Sequence, residues 1–167
     1  MFDVLARLAA RRPPGGGKAA LPGEPAGPYG RGLAALAAGC AEEALGAFAT
    51  ALEAASGEEE RARILNKRGV ALVALARTPQ AREAFEAALA ARPRFAPALV
   101  NLGNLLLEEG RTPEAIVFYE RAVAADPEYA PAYLNFGIAC KRSDRRAEAV
   151  RHFRTAARLE ARGRSEP

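Results

Sequence analysis

The stretch NLGNLLLEEGRTPEAIVFYERAVAADP, residues 101–127, carries two runs of apolar residues separated by EEGRTP. In the first run, with Leu99 just upstream, Leu102, Leu105 and Leu106 recur at three- and four-residue steps, which marks one face of a helix, and the second run does likewise. Gly103 lies inside the first run, where glycine costs about 1 kcal/mol relative to alanine. Something outside the local backbone must compensate for it.

Gly103 is not alone. KRGVALVALARTPQAREAFEAALAARP (67–93), the opening stretch, and NFGIACKRSDRRAEAVRHFRTAARLEA (135–161) align without gaps at a spacing of 34 residues. Gly69, Gly103 and Gly137 coincide, as do Ala81, Ala115 and Ala149, then Phe85, Tyr119 and Phe153, then Ala88, Ala122 and Ala156. Pro93 and Pro127 close the first two copies, and Ala161 stands at that place in the third. A weaker copy, GRGLAALAAGCAEEALGAFATALEAA (30–55), supplies Gly32, Ala44, Phe48 and Ala51 at the same offsets, 37 residues before the next. The three extra residues, around SGEEERAR, are expected to extend the following helix backward by almost one turn.

This pattern of glycine, alanine, large aromatic, alanine and proline resembles the tetratricopeptide repeat (TPR), over about residues 25–163. The resemblance implies an all-α fold, a right-handed α-solenoid of stacked antiparallel helix pairs, with four TPR units of which the first is degenerate. The units are expected at about 25–58, 62–95, 96–129 and 130–163, within an array over 29–163 and ahead of a tail over 164–167. The alanine-rich, tryptophan-free composition, sparse in β-branched residues, favours the same all-α reading.

Local chemistry accounts for most boundaries. RTPQA and RTPEA suggest Thr78 and Thr112 as N-caps, with Pro79 and Pro113 at the first helical position, where a missing N–H does no harm. FAPA and YAPA put Pro97 and Pro131 in the first turn of the next pair. Gly103 and Ala115 are expected where the two helices of a unit approach closely, with Tyr119 filling the wider gap beyond.

In TPR proteins the first helix of each unit lines a concave surface that commonly holds an extended peptide. By that resemblance the groove candidates are Arg63, Asn66, Lys67, Val100, Asn101, Asn104, Asn135, Ile138, Lys141 and Arg142. Asn101 and Asn135 share one place in successive copies, with Lys67 as their counterpart. A side-chain amide both donates and accepts, so such a ladder pairs with a bound backbone without reading its sequence; alternatively, these amides only satisfy local polar groups. TPR domains that grip a chaperone's C-terminal carboxylate use lysine, asparagine and arginine where this chain has Asn66, Val70, Asn101, Pro131 and Asn135. Only Asn101 keeps the expected type, which argues against that ligand.

Charge is uneven. The net charge of +4 divides into +3 over residues 1–31, −4 over the middle, and +5 from residue 130 onward. Arg151, Arg154, Arg158 and Arg162 form a stripe that suits nucleic acid, anionic lipid or an acidic protein, or is a solvated face; no interleaved aromatics support base stacking. Residues 1–12 read as an amphipathic helix carrying Phe2, Val4, Leu5 and Leu8, and residues 13–28 as a Pro/Gly-rich linker. An apolar face around Val150, Phe153 and Ala157 is expected to need a cover: the N-terminal helix, self-association into a homo-oligomer, or a partner.

Nothing in the sequence supports catalysis. His152 is the only histidine, Cys40 and Cys140 are 100 residues apart, and PPGGGK (13–18) lacks the helix signature of a phosphate loop. No cofactor or metal site is expected. The reading is a cytoplasmic, non-catalytic scaffold or adaptor that binds an extended, acidic protein segment. The alternatives are a membrane-surface adaptor anchored by its N-terminal helix, and a small TPR-type chaperone.

Overall fold

The computed structural model describes residues 27–164. The helix expected over 1–12, the linker as far as residue 26 and the last three residues lie outside them. Eight α-helices and no strand occur among the described residues: α1 Pro28–Ala37, α2 Ala41–Ala54, α3 Glu58–Ala74, α4 Thr78–Ala91, α5 Ala96–Glu108, α6 Thr112–Ala125, α7 Ala130–Arg142 and α8 Arg146–Gly163. The all-α expectation is met. Helix α3 has 17 residues against 13 for α5 and begins about one turn earlier in the repeat, so the three extra residues do lengthen it backward.

The chain divides into two compact units, Met1–Ala84 and Phe85–Pro167. In the first, Ala35, Ala44, Phe48, Ala51, Ile64 and Ala71 form the core, with Leu33, Leu45 and Leu52 packed around it. In the second, Leu99, Val100, Leu106, Ala115, Ile116, Tyr119, Phe136, Ala139 and Cys140 do so, with α6 against both α5 and α7. Alanine supplies much of both cores, because small side chains let helix axes approach and leave room for one large ring per crossing.

That ring sits on the glycine itself. A Cβ placed on Gly103 would lie 2.6 Å from Tyr119 Cε1, and one on Gly137 would lie 2.6 Å from Phe153 Cε1. Gly32 faces the Phe48 ring in the same way, more tightly still. Tyr119 therefore does not fill a gap beyond the crossing, as the sequence suggested; it occupies the space that a side chain at Gly103 would need.

The turn inside each helix pair is also repeated. Gly39, Ala76, Gly110 and Asp144, at matching positions, all have φ between 57° and 79°. Each donates its N–H three residues back, and the next residue donates five back: Gly110 to Leu107 (3.2 Å) and Arg111 to Leu106 (2.9 Å), Asp144 to Lys141 (3.2 Å) and Arg145 to Cys140 (2.9 Å). This paired closure satisfies the carbonyls left open at a helix C-terminus and needs one left-handed residue. It also corrects the expected cap. Helix α6 begins at Thr112 with Arg111 as its N-cap residue and no side-chain cap, because the chain leaves the left-handed turn already aligned for helix. The Arg111 carbonyl accepts from Ala115 (3.0 Å), while its guanidinium binds Glu109 and Glu114. Helix α4 likewise begins at Thr78 itself.

Gly103→Ala should destabilise the protein by about 1–3 kcal/mol despite alanine's better helix propensity. Gly46→Ala, exposed on α2 with open space around its Cβ, should stabilise it by about 0.4–1 kcal/mol. Urea titration of the two variants reads the contrast, and equal shifts would refute the ring-on-glycine account. Ala76→Gly should be stabilising, since alanine in the left-handed region is disfavoured by about 1–2 kcal/mol, and Gly110→Ala destabilising.

Candidate functional site

The ten groove candidates lie on the first helices of three consecutive pairs, α3, α5 and α7. On α3, Arg63 is exposed, Lys67 half-buried and Asn66 buried. On α5, Asn101 is half-buried, whereas Val100 and Asn104 are buried. On α7, Lys141 and Arg142 are exposed, Ile138 is half-buried and Asn135 is only 3% exposed. The candidates thus separate into outward-facing side chains and amides enclosed by the fold.

Hydrogen bonding sharpens the division. Asn135 Nδ2 donates to the Pro131 carbonyl one turn back at 2.9 Å. The Tyr119 hydroxyl donates to Asn104 Oδ1 at 2.8 Å, a buried link between α5 and α6. Burial pushes the Tyr119 hydroxyl well above the usual phenol range, so it remains a donor at neutral pH; nearby Arg142 lowers it and Glu108 raises it further. Arg142 Nη1 donates to the Leu107 carbonyl at 2.8 Å, and its guanidinium lies 3.9 Å from Glu108, joining the C-terminal ends of α7 and α5. Asn104, Asn135 and Arg142 each serve the fold, then; by exposure alone, Arg63, Lys67, Asn101, Ile138 and Lys141 present part of their side chains outward.

The Tyr119–Asn104 link escaped the sequence reading, although a signal existed. At the tyrosine position the other copies have Phe85 and Phe153, and at the Asn104 position they have Val70 and Ile138. Hydroxyl and amide occur together in one copy and are absent together from the other two. Tyr119→Phe should leave the Asn104 oxygen unpaired and cost about 1–3 kcal/mol. Adding Asn104→Val, the pairing of the copy at 67–93, should recover most of that loss. A double-mutant cycle by denaturant unfolding measures it, and additive losses would show that the bond contributes nothing specific.

Groups capable of chemistry elsewhere are few. Among the described residues no three His, Cys, Asp or Glu side chains cluster as metal ligands, and no helix is long and apolar enough to cross a membrane. Cys140 is buried, and burial raises its thiol pKa, the reverse of what a nucleophile requires. His152 is half-buried and stacks on Phe136 at 4.0 Å between ring centroids. Burial lowers its pKa; Glu148 opposes this, and Arg145 and Arg151 reinforce it. Neutral His152 is therefore the form the fold favours. Its stabilisation should be complete above about pH 6.5 and fade as pH falls through the lower folded value. Melting temperatures from about pH 7.5 to 5.5 should fall more for the parent than for His152→Gln, and parallel curves would refute this.

A helical scaffold of repeated 34-residue pairs, offering polar side chains from the first helix of each pair, belongs to the class of repeat proteins built from stacked helix pairs. More specifically, the chain belongs to the tetratricopeptide repeat family: one Tetratricopeptide repeat model matches residues 29–91 and 66–130, and a second matches 106–162. No curated protein matches the sequence. Among solved structures the chain is similar to MamA, at 22% identity and a TM-score of 0.66, covering 83% of this chain and 80% of that one. It is similar to YrrB, described as "a TPR protein with an unusual peptide-binding site", at 23% identity and TM-score 0.60, covering 80% and 68%. The second TPR of Spaghetti (RPAP3), bound to the HSP90 peptide SRMEEVD, matches at 23% identity and TM-score 0.57, covering 65% and 90%. At these identities the likeness concerns the fold.

Proposed function

We propose that this protein is a non-catalytic interaction scaffold that holds an extended segment of a partner protein along the first helices of its repeats. The observation that carries the proposal is Asn101, half-exposed on α5, the first helix of its pair; in the other unit Lys67 holds the same repeat position on α3. An amide at that position pairs with a peptide backbone, and a lysine favours a carboxylate. Arg63, exposed on α3 in the same unit as Lys67, adds a second cation there, which supports an acidic segment over a neutral one. The peptide-binding descriptions of YrrB and of the RPAP3 domain support the same class of function. A chaperone C-terminal tail is not the ligand we favour, because Val70 and Pro131 replace residues that resemblance assigns to holding its carboxylate.

The buried amides enter the proposal differently. Asn135 positions its helix turn, and Asn104 fixes Tyr119 beneath the surface. Mutating them tests stability as much as binding. Affinity purification with Lys67→Glu, Asn101→Ala beside the parent is the cleaner experiment. Partners lost only from the variant, with its melting temperature preserved, would define the ligand. An unchanged set of partners would sink the proposal.

A further inference from the structure

Successive repeats supply an internal standard for burial. In the second unit, Val100 and Leu107 on α5 and Ile116 on α6 are 3%, 2% and 8% exposed, in the core that α7 completes. Thirty-four residues later their counterparts are Leu134, Lys141 and Val150. Leu134 is 38% and Val150 45% exposed, and Lys141 is exposed as well. Ile138 and Phe153, both half-buried, complete an apolar strip across α7 and α8. Among the described residues no further helix packs on it.

One substitution between the covered and uncovered versions is directional: Lys141 replaces the buried Leu107. Beside it, Arg151, Arg154 and Arg158 replace Val117, Glu120 and Ala124, which are exposed in the inner copy too. The side chains of Lys141, Arg154 and Arg158 make no ion pair with a described residue. The nearby carboxylates do not neutralise the strip: Asp144 pairs with Arg146, Glu148 with Arg145, and Glu160 stands alone toward the end of α8. The face therefore offers an apolar centre beside uncompensated positive charge.

Charge decides between occupants. A second copy docked symmetrically would set Lys141 and Arg154 against the same cations. Docked head to tail, it would present α1, in which Arg31 stands at the repeat position of Phe136. Residues 1–12 carry Asp3 against Arg7, Arg11 and Arg12, again net positive. Like charges brought into one interface disfavour all three arrangements.

We propose that the outer face of α7 and α8 binds an amphipathic helix of another protein, whose apolar stripe covers Leu134, Ile138, Val150 and Phe153 and whose flanking carboxylates meet Lys141 and Arg154. Such a helix would lie as α7 lies on α5 and α6, with side chains in rows at i, i+3, i+4 and i+7. This face does not include Asn101, on which the proposed function rests, so the two proposals stand or fall independently.

The test uses the full 167-residue chain and two synthetic helical peptides. Both copy the stripe Ala132, Phe136 and Ala139 of α7; one has glutamate and the other lysine at the remaining surface positions. The glutamate peptide should bind saturably and at least about tenfold more tightly than the lysine peptide, with amide shifts confined to α7 and α8. Lys141→Glu, Arg154→Glu should reverse the preference, and Leu134→Asp should weaken both peptides at unchanged circular dichroism. Asn101→Ala should leave binding intact. Equal affinities, no saturable binding, or shifts confined to other helices would overturn the proposal. So would a concentration-dependent dimer that Leu134→Asp dissolves, which would identify a second copy as the occupant.

Discussion

An aromatic ring set directly against a glycine is the contact on which the rest of this structure depends. Phe48 on Gly32, Tyr119 on Gly103 and Phe153 on Gly137 each bring the two helices of a pair to a separation that only a missing Cβ allows. Once the axes are that close, the positions around the crossing must be small, and alanine occupies them: Ala44, Ala115, Ala122, Ala149. The glycine's conformational cost is offset by burying the ring, wholly for Phe48 and Tyr119 and partly for Phe153, and full burial gains about 1.5–3 kcal/mol by transfer bookkeeping. Helix pairing, core composition and the 34-residue period express this one steric requirement.

The fold was legible in the sequence because that requirement fixes residue size at fixed spacing, and size is visible in a one-letter code. What it did not reveal depends on direction and partner. Thr112 looked like a cap because its side chain suits one, yet the preceding left-handed turn already orders the backbone and makes a capping hydroxyl unnecessary. Tyr119 was legible as a large group, but not as a donor to Asn104, since periodicity identifies a helix face without saying which neighbour lies across it.

The candidate site was legible to a similar depth. The family resemblance placed the candidates on the first helix of each pair, and they lie there. It could not separate Asn101, with part of its side chain outward, from Asn104 three residues on, which sits deep against the next helix. One turn of helix divides a half-exposed amide from one enclosed by the fold. Asn135, aligned with Asn101, is buried where Asn101 is half-buried, so equivalent positions in a repeat need not share an environment.

The recurrent left-handed residue at 39, 76, 110 and 144 bears on how such a chain changes length. Each turn closes by the same two backbone hydrogen bonds, whatever side chain occupies it: glycine, alanine or aspartate. A duplication or deletion cut at these turns rejoins identical geometry on both sides, whereas one of any other length rotates the following helix away from its glycine. Growth by whole units is thus built into the turn, and the helices between are free to diversify their outward residues.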